Sequence, residues 1–355
     1  MPRPRAGATS TLRLTNPTDL IASIPYLLGF HPHDSLVAVG LNGKEVVFTG
    51  RGALATRDHG PGAVATDLLT AFRNSGCTGA ILVGFGTADR VTPCVDAARE
   101  LFTIRSIQVR EALRVTDGRY WSYVCDNPRC CPPEGTPFDG ATSSVPATLT
   151  VAGLVAQPDR SVLAASMAPV EGPPRVAMAR ATSAVENRLD QRWPHRRRGD
   201  VAGETLVGDL ARAEPAFTAE GVELVRRVVA EAEKGAEPPG VDVMAELCVA
   251  LCSVRVRDEA WARVVSHSLE EQLALWLRVM RHAEPSYRAA PGSLAAFTAW
   301  RLGRGSLANL ALDRVAEVAP EYSMARMLRG LLERGIPPSE WKDLNPDRLP
   351  DPGGG

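Results

Sequence analysis

Hydrophobic positions follow two regimes along this chain. Up to about residue 125, short apolar runs alternate with stretches of helical spacing. Beyond about residue 175, apolar residues recur every three or four positions. The first regime opens at Asn16-Pro17, where Asn16 can cap a helix, Pro17 suits its first turn and Asp19 favours its positive end. Leu20, Ile21 and Ile24 follow at helical spacing, Pro25 disturbs the last turn, and Gly29 ends it.

Ser35 to Leu41 reads as a strand, Asn42-Gly43 as a hairpin turn, and Glu45 to Thr49 as the return strand. A helix over about Gly62 to Asn74 comes next. Ala80 to Phe85 (AILVGF) is a continuous apolar run, which fits a strand buried on both faces. A second helix covers about Thr92 to Thr103, and Ile107 to Val115 pairs with Arg119 to Val124 around Asp117-Gly118. Two crossovers then make strands 45–49, 80–85 and 107–115 run parallel, and their hairpin partners run antiparallel to them. The expectation is a mixed five-stranded α/β sheet with flanking helices.

Pro132 to Pro146 breaks this pattern, and 145–167 is ambiguous until a helix starting near Asp159. After a second breaker, Pro169 to Pro174, helices are expected over 175–193, 215–234, 241–253, 257–282, 291–302, 304–317 and 321–334. The longest breaks near His267. The predicted organisation is a disordered 1–14, an α/β domain over 15–170, an all-α helical-hairpin domain over 171–340 and a disordered tail over 341–355.

The helical part carries an echo of a known period. Pro285-Ser286-Tyr287 recurs as Pro320-Glu321-Tyr322, close to the ~34-residue tetratricopeptide spacing. Ala296, Ala308, Leu312 and Pro320 fall where that repeat wants small, small, bulky and proline residues. Any antiparallel helical hairpin also needs small residues at close crossings, so this likeness to tetratricopeptide repeats stays partial.

Composition narrows the class. A net charge of −1 gives no drive toward nucleic acid or anionic membrane. No run approaches the ~18 apolar residues of a membrane span. The basic N-terminus lacks the apolar core of a secretory signal, which points to the cytoplasm. Lysine occurs only at Lys44, Lys234 and Lys342. This arginine excess accompanies abundant Ala, Gly and Pro and suits a GC-rich bacterial genome. The basic run His195-Arg196-Arg197-Arg198 reads as a helix end rather than a phosphate grip.

Three of the seven cysteines fall at Cys125, Cys130 and Cys131. Clustered thiols in a reducing compartment point to metal or redox chemistry, or to plain packing. A structural zinc site wants four ligands. Topology places Cys77, just before strand 80–85, at the same sheet end as Cys125. A site of Cys77, Cys125, Cys130 and Cys131 is therefore the metal hypothesis, with a redox-sensitive thiol group as its chemical alternative.

His31-Pro32-His33-Asp34-Ser35 contains the residue types of a hydrolase triad, but neighbours in sequence do not converge as a triad, and Ser35 lacks the Gly-x-Ser-x-Gly elbow. Topology puts this loop at the carboxyl ends of the parallel strands, where ligands bind open α/β sheets. The loop Gly84-Phe85-Gly86-Thr87-Ala88-Asp89 shares that edge, with Asp89 where a dinucleotide fingerprint needs its third glycine. His31, Asp34, Ser35, Gly86 and Thr87 are the ligand-binding candidates. The competing reading is a tight connection in which Asp34 or Ser35 bonds the backbone.

Three segments carry a resemblance: Pro25 to Leu41 (PYLLGFHPHDSLVAVGL), Tyr120 to Pro137 (YWSYVCDNPRCCPPEGTP) and Ala296 to Val315 (AFTAWRLGRGSLANLALDRV). Together they resemble domain of unknown function 4192, from about Thr15 to Pro338. The resemblance implies a cytoplasmic protein of high-GC Gram-positive bacteria and supplies no catalytic residue. Gly29, Phe30, Pro32, Ser35, Cys125, Cys130 and Cys131 are motif members without roles.

Two functions follow as expectations. One is an interaction or regulatory protein that binds a protein partner through its helical surface. The other is a small-molecule binder or enzyme using the edge at His31–Ser35 and Gly84–Asp89.

Overall fold

The computed structural model describes residues 14, 16–56, 59–193, 214–265, 267–345 and 349. The basic run at 195–198, most of the N-terminal segment and the end of the tail lie outside the described residues. The chain divides into two compact units, Met1–Leu163 and Ala164–Gly355.

The first unit is built on a six-stranded sheet. Its strands are β1 (Ser35–Asn42), β2 (Glu45–Ala53), β3 (Gly79–Phe85), β4 (Gln108–Thr116), β5 (Arg119–Ser122) and β6 (Thr136–Pro137), in the order β2-β1-β3-β4-β5-β6. β1 pairs antiparallel with both β2 and β3, β3 and β4 are parallel, and β4-β5-β6 are antiparallel. Strands β2, β3 and β4 thus share a direction that β1 and β5 oppose, as the hairpins and crossovers require. The sheet exceeds the expected five strands by β6. That strand has two residues, one a proline, and no periodicity could signal it.

Alternation within each strand sorts side chains to two cores. Leu36, Ala38, Ala80, Leu82 and Ala112 face α2 (Pro61–Arg73) and α3 (Ala88–Ile104), where Phe72 and Phe102 pack with ring centroids 5.0 Å apart. Val37, Val39, Val83, Leu113 and Val115 join Leu20, Ile21, Ile24 and Leu28 of α1 (Pro17–Leu28) on the other side. Helix α1 starts as its cap predicts: the Asn16 side chain accepts the Asp19 N–H at 2.9 Å. It tolerates Pro25 and stops at Gly29, whose φ of 84° is left-handed. Two short helices complete this part of the chain, α4 (Val145–Val151) and α5 (Arg160–Ser166). Asp159 accepts the N–H groups of Ser161 and Val162 at the start of α5.

The second unit is helical: α6 (Pro173–Arg192), α7 (Pro215–Glu233), α8 (Val241–Ala250), α9 (Val254–Ala262), α10 (Leu269–His282), α11 (Ala289–Arg301), α12 (Gly305–Ala316) and α13 (Ser323–Glu333). The long amphipathic stretch breaks between Ala262 and Leu269, on either side of His267. Helix α11 is buried from Ala290 to Trp300. Its Gly292 lies where any Cβ would meet Val315 of α12 at 2.5 Å, so the close crossing needs glycine. Trp261 stacks on Trp341 at 5.5 Å with Phe297 edge-on to both. Glu259, with no exposed side-chain surface, is held by Arg226, Arg255 and Arg263 at 2.9, 2.9 and 2.7 Å. No helix among the described residues is long and apolar enough to cross a membrane.

Candidate functional site

The turns that follow β3 and β4 meet the loop that precedes β1 at one edge of the sheet. There they line a cleft of about 880 Å³. One wall is His31, His33 and Asp34, another is Phe85, Gly86, Thr116 and Asp117, and α1 adds Pro25 and Tyr26. The segment after β6 closes the remaining side with Phe138, Ser143 and Pro146. This volume falls within the ~300–1,000 Å³ of small-molecule sites.

Backbone geometry at the rim is unusual. Asp34 and Asp117 hold φ of 43° and 49°, a region that few residues other than glycine adopt. Gly86, at φ 142°, leaves room for Asp34: a Cβ there would stand 3.3 Å from the Asp34 carboxylate. That carboxylate pairs with Arg90 of α3 at 2.6 Å, while the Asp34 carbonyl accepts the Leu54 N–H at 2.9 Å. The Gly86 N–H donates to the Val115 carbonyl at 3.0 Å, tying the two turns together. His31 keeps solvent access, yet burial first and the charge of His33 second lower its pKa below the ordinary histidine value. Its ring therefore favours the neutral form, able to donate at one nitrogen and accept at the other.

Of the residues expected at this edge, His31, Asp34 and Gly86 line the cleft. Ser35 is buried. Its hydroxyl donates to the His33 carbonyl at 2.5 Å and accepts from Arg51 Nε at 2.7 Å, so it fastens the loop and is not free to act as a nucleophile. Thr87 is exposed, sits immediately before α3 and bonds Asp89, lowering that carboxyl's pKa. The cleft brings together imidazoles, carboxylates, hydroxyls and apolar side chains. On its wall the Ser143 hydroxyl donates to the Asp19 carboxylate of α1 at 2.8 Å.

The second candidate site is the loop between β5 and β6. Cys125, Cys130 and Cys131 place their sulfurs within 4.8 Å of one another, and this group could hold a metal ion. The Cys125 and Cys130 sulfurs are 3.2 Å apart, those of Cys130 and Cys131 3.8 Å. Asn127 organises the turn: its carbonyl accepts the N–H groups of Cys130 and Cys131 at 3.2 and 2.8 Å, and its side chain accepts that of Arg129 at 3.0 Å. The Asn127 N–H, followed by the two neighbouring thiols, lowers the Cys125 pKa. The Cys125 bond raises that of Cys130, and burial with both neighbours pushes Cys131 up to about 12. One thiol of the three is thus favoured to ionise first.

The loop is fastened on both sides. Trp121 Nε1 donates to the Pro133 carbonyl at 3.0 Å, and Arg119 donates to the Gly135 carbonyl at 2.8 Å. The Arg114 guanidinium lies 3.6 Å from the Trp121 ring centroid. Gly135, at φ 82°, lies so close to that ring that a side chain would collide with it.

The structure does not bring Cys77 to this cluster. Cys77 packs over Gly40 of β1 and against the α2–α3 core, with its sulfur 2.9 Å from the Ser75 hydroxyl. Strands β3 and β4 lie between β1 and β5. Three strand spacings amount to roughly 14 Å. Sharing a sheet end is not sharing a place along it. Cys94 is buried in α3 and Cys248 in α8, while Cys252 is exposed.

Tyr26, Thr116, Asp117, Phe138 and Ser143 were not among the expected cleft residues. Asp117 had a signal: the Asp-Gly turn ends β4 at the edge already under consideration. Segment 138–147 had none, because a Pro/Gly-rich stretch says where order breaks but not where the chain goes next.

A family model described as domain of unknown function (DUF4192) matches residues 17–339. No curated protein and no solved structure matches the chain.

Proposed function

Since the chain belongs to the DUF4192 family, whose description names no activity, we propose from its own geometry that it is a binding protein whose α/β unit takes a small polar molecule in the cleft beside His31 and Asp34. One observation carries this reading. Loops from four separate places in the sequence converge on one concave, part-apolar site of about 880 Å³, at the carboxyl edge where α/β sheets bind ligands. Imidazoles and carboxylates together with Phe85 and Phe138 in one lining suit a hydrogen-bonding molecule with an apolar face.

Thermal unfolding across a panel of nucleotides, sugar phosphates and amino-acid derivatives tests this. A ligand raises the melting temperature by mass action. The gain is expected to shrink in Asp34→Ala. A melting curve unchanged by every member of the panel overturns the reading.

A second reading concerns the helical unit as a protein-binding surface of the kind stacked helices form. It is favoured by a groove of about 790 Å³ between α6, α7 and α8, lined by Val185, Leu189, Phe217, Leu224 and Val249. Ion pairs Arg188–Glu246 and Arg192–Glu220 rim it. Co-purification of one defined protein, lost when Leu189 and Leu224 become aspartate, supports it. No partner at native expression overturns it.

For the cysteine loop, zinc is the ion a thiolate set favours in a cell. Its expected content is one ion per chain, lost in Cys130→Ser.

A further inference from the structure

We infer, building on the reading of the cysteine loop as a zinc site, that Cys125, Cys130 and Cys131 form a preformed three-thiolate seat whose fourth coordination position is open to small external ligands. The ion there would exchange and respond to its surroundings and would not hold the fold together.

Distances come first. Thiolates ~2.3 Å from a tetrahedral ion lie roughly 3.8 Å from one another. The three sulfurs, at 3.2 and 3.8 Å for two of the pairs and all within 4.8 Å, bracket that value.

The frame comes second. In a folding zinc site the ion supplies the free energy that orders its loop. Here the loop is ordered by the β5–β6 pairing, by Trp121 on Pro133, by Arg119 on Gly135 and by the Asn127 turn. None of these uses a sulfur.

The donor count comes third. Among the described residues, three donors make up the group. Glu111 is close enough to influence Cys125 but is not part of that group, and its Oε1 accepts the Ser122 hydroxyl and the Ala112 N–H, both at 2.9 Å. Cys77 sits across the sheet. With Cys130 exposed and its two neighbours half-buried, an incoming ligand meets no wall. Three protein ligands with one free position is the arrangement of zinc sites that exchange ligands.

The test is a cobalt(II) titration of the reduced full-length protein without oxygen, followed by zinc competition. One cobalt per chain with thiolate-to-metal absorption is expected, weakened at least tenfold in Cys130→Ser and unchanged in Cys77→Ser. Added imidazole should shift the visible bands, and removing the metal should leave the far-ultraviolet circular dichroism unaltered. Three outcomes overturn the inference and are distinguishable. Visible bands indifferent to imidazole, with Cys77→Ser as damaging as Cys130→Ser, mean a closed four-thiolate site, and the zinc reading then survives. Loss of secondary structure on metal removal means a folding site, which also leaves the zinc reading standing. No cobalt or zinc bound at tenfold excess removes the open seat and the zinc reading together.

Discussion

Glu259 has no exposed surface, yet it holds the charge that Arg226, Arg255 and Arg263 share between α7, α9 and the turn after α9. Burial by itself raises its pKa, but the hydrogen bonds from the three guanidiniums outweigh burial and leave it below the ordinary glutamate value. The unfolded chain then binds the proton more readily, so the carboxylate's contribution is complete above the unfolded pKa and is lost as pH falls through the folded one. Glu259→Gln should cost about 3 kcal/mol at neutral pH, because it strands three cations around a neutral group. The deficit should shrink in acid, where the native residue is also losing its charge. Urea denaturation of both proteins at neutral pH and below the glutamate pKa checks both points. At this scale the cysteine cluster was legible in the sequence, since a turn of seven residues can hardly keep three thiols apart. The exclusion of Cys77 was not, because it depends on lateral position in the sheet, which spacing along the chain does not encode.

Elements were legible where local chemistry decides them. Asn16, Pro17 and Gly29 bound α1 as expected, and Asn42-Gly43 joins β1 to β2. Strand directions followed from two hairpins and two crossovers. Strand order did not, because β1 can lie inside or outside β2 without changing any direction; the structure puts it inside, against β3. Close packing of α3 on β3 rests on Gly84, where a Cβ would run into Val91. Gly84→Val should lower stability by about 2 kcal/mol through overpacking, with no strain from backbone conformation. Denaturant midpoints of the two proteins check this, and an unchanged midpoint would mean the helix can shift freely off the strand.

For the whole molecule, the division near residue 163 predicts that the first unit folds by itself. Its two cores, six strands and both candidate sites lie within it. A fragment ending at Ala168, which keeps α5 intact, should unfold cooperatively and bind the same number of cobalt ions as the full chain. A non-cooperative melt would show that the helical unit is needed for its stability.

The two sides of the sheet end differently. On one, β6 presents Pro137, which has no N–H to offer, and Trp121 is already covered by the Pro133 turn. On the other, β2 ends the sheet with Val46 and Val47 exposed. Among the described residues there is thus a single edge on which another strand can be templated. Any self-association by sheet extension would join two β2 edges and use up both. It would close as a symmetric pair, with no second open edge among the described residues from which a fibre could grow.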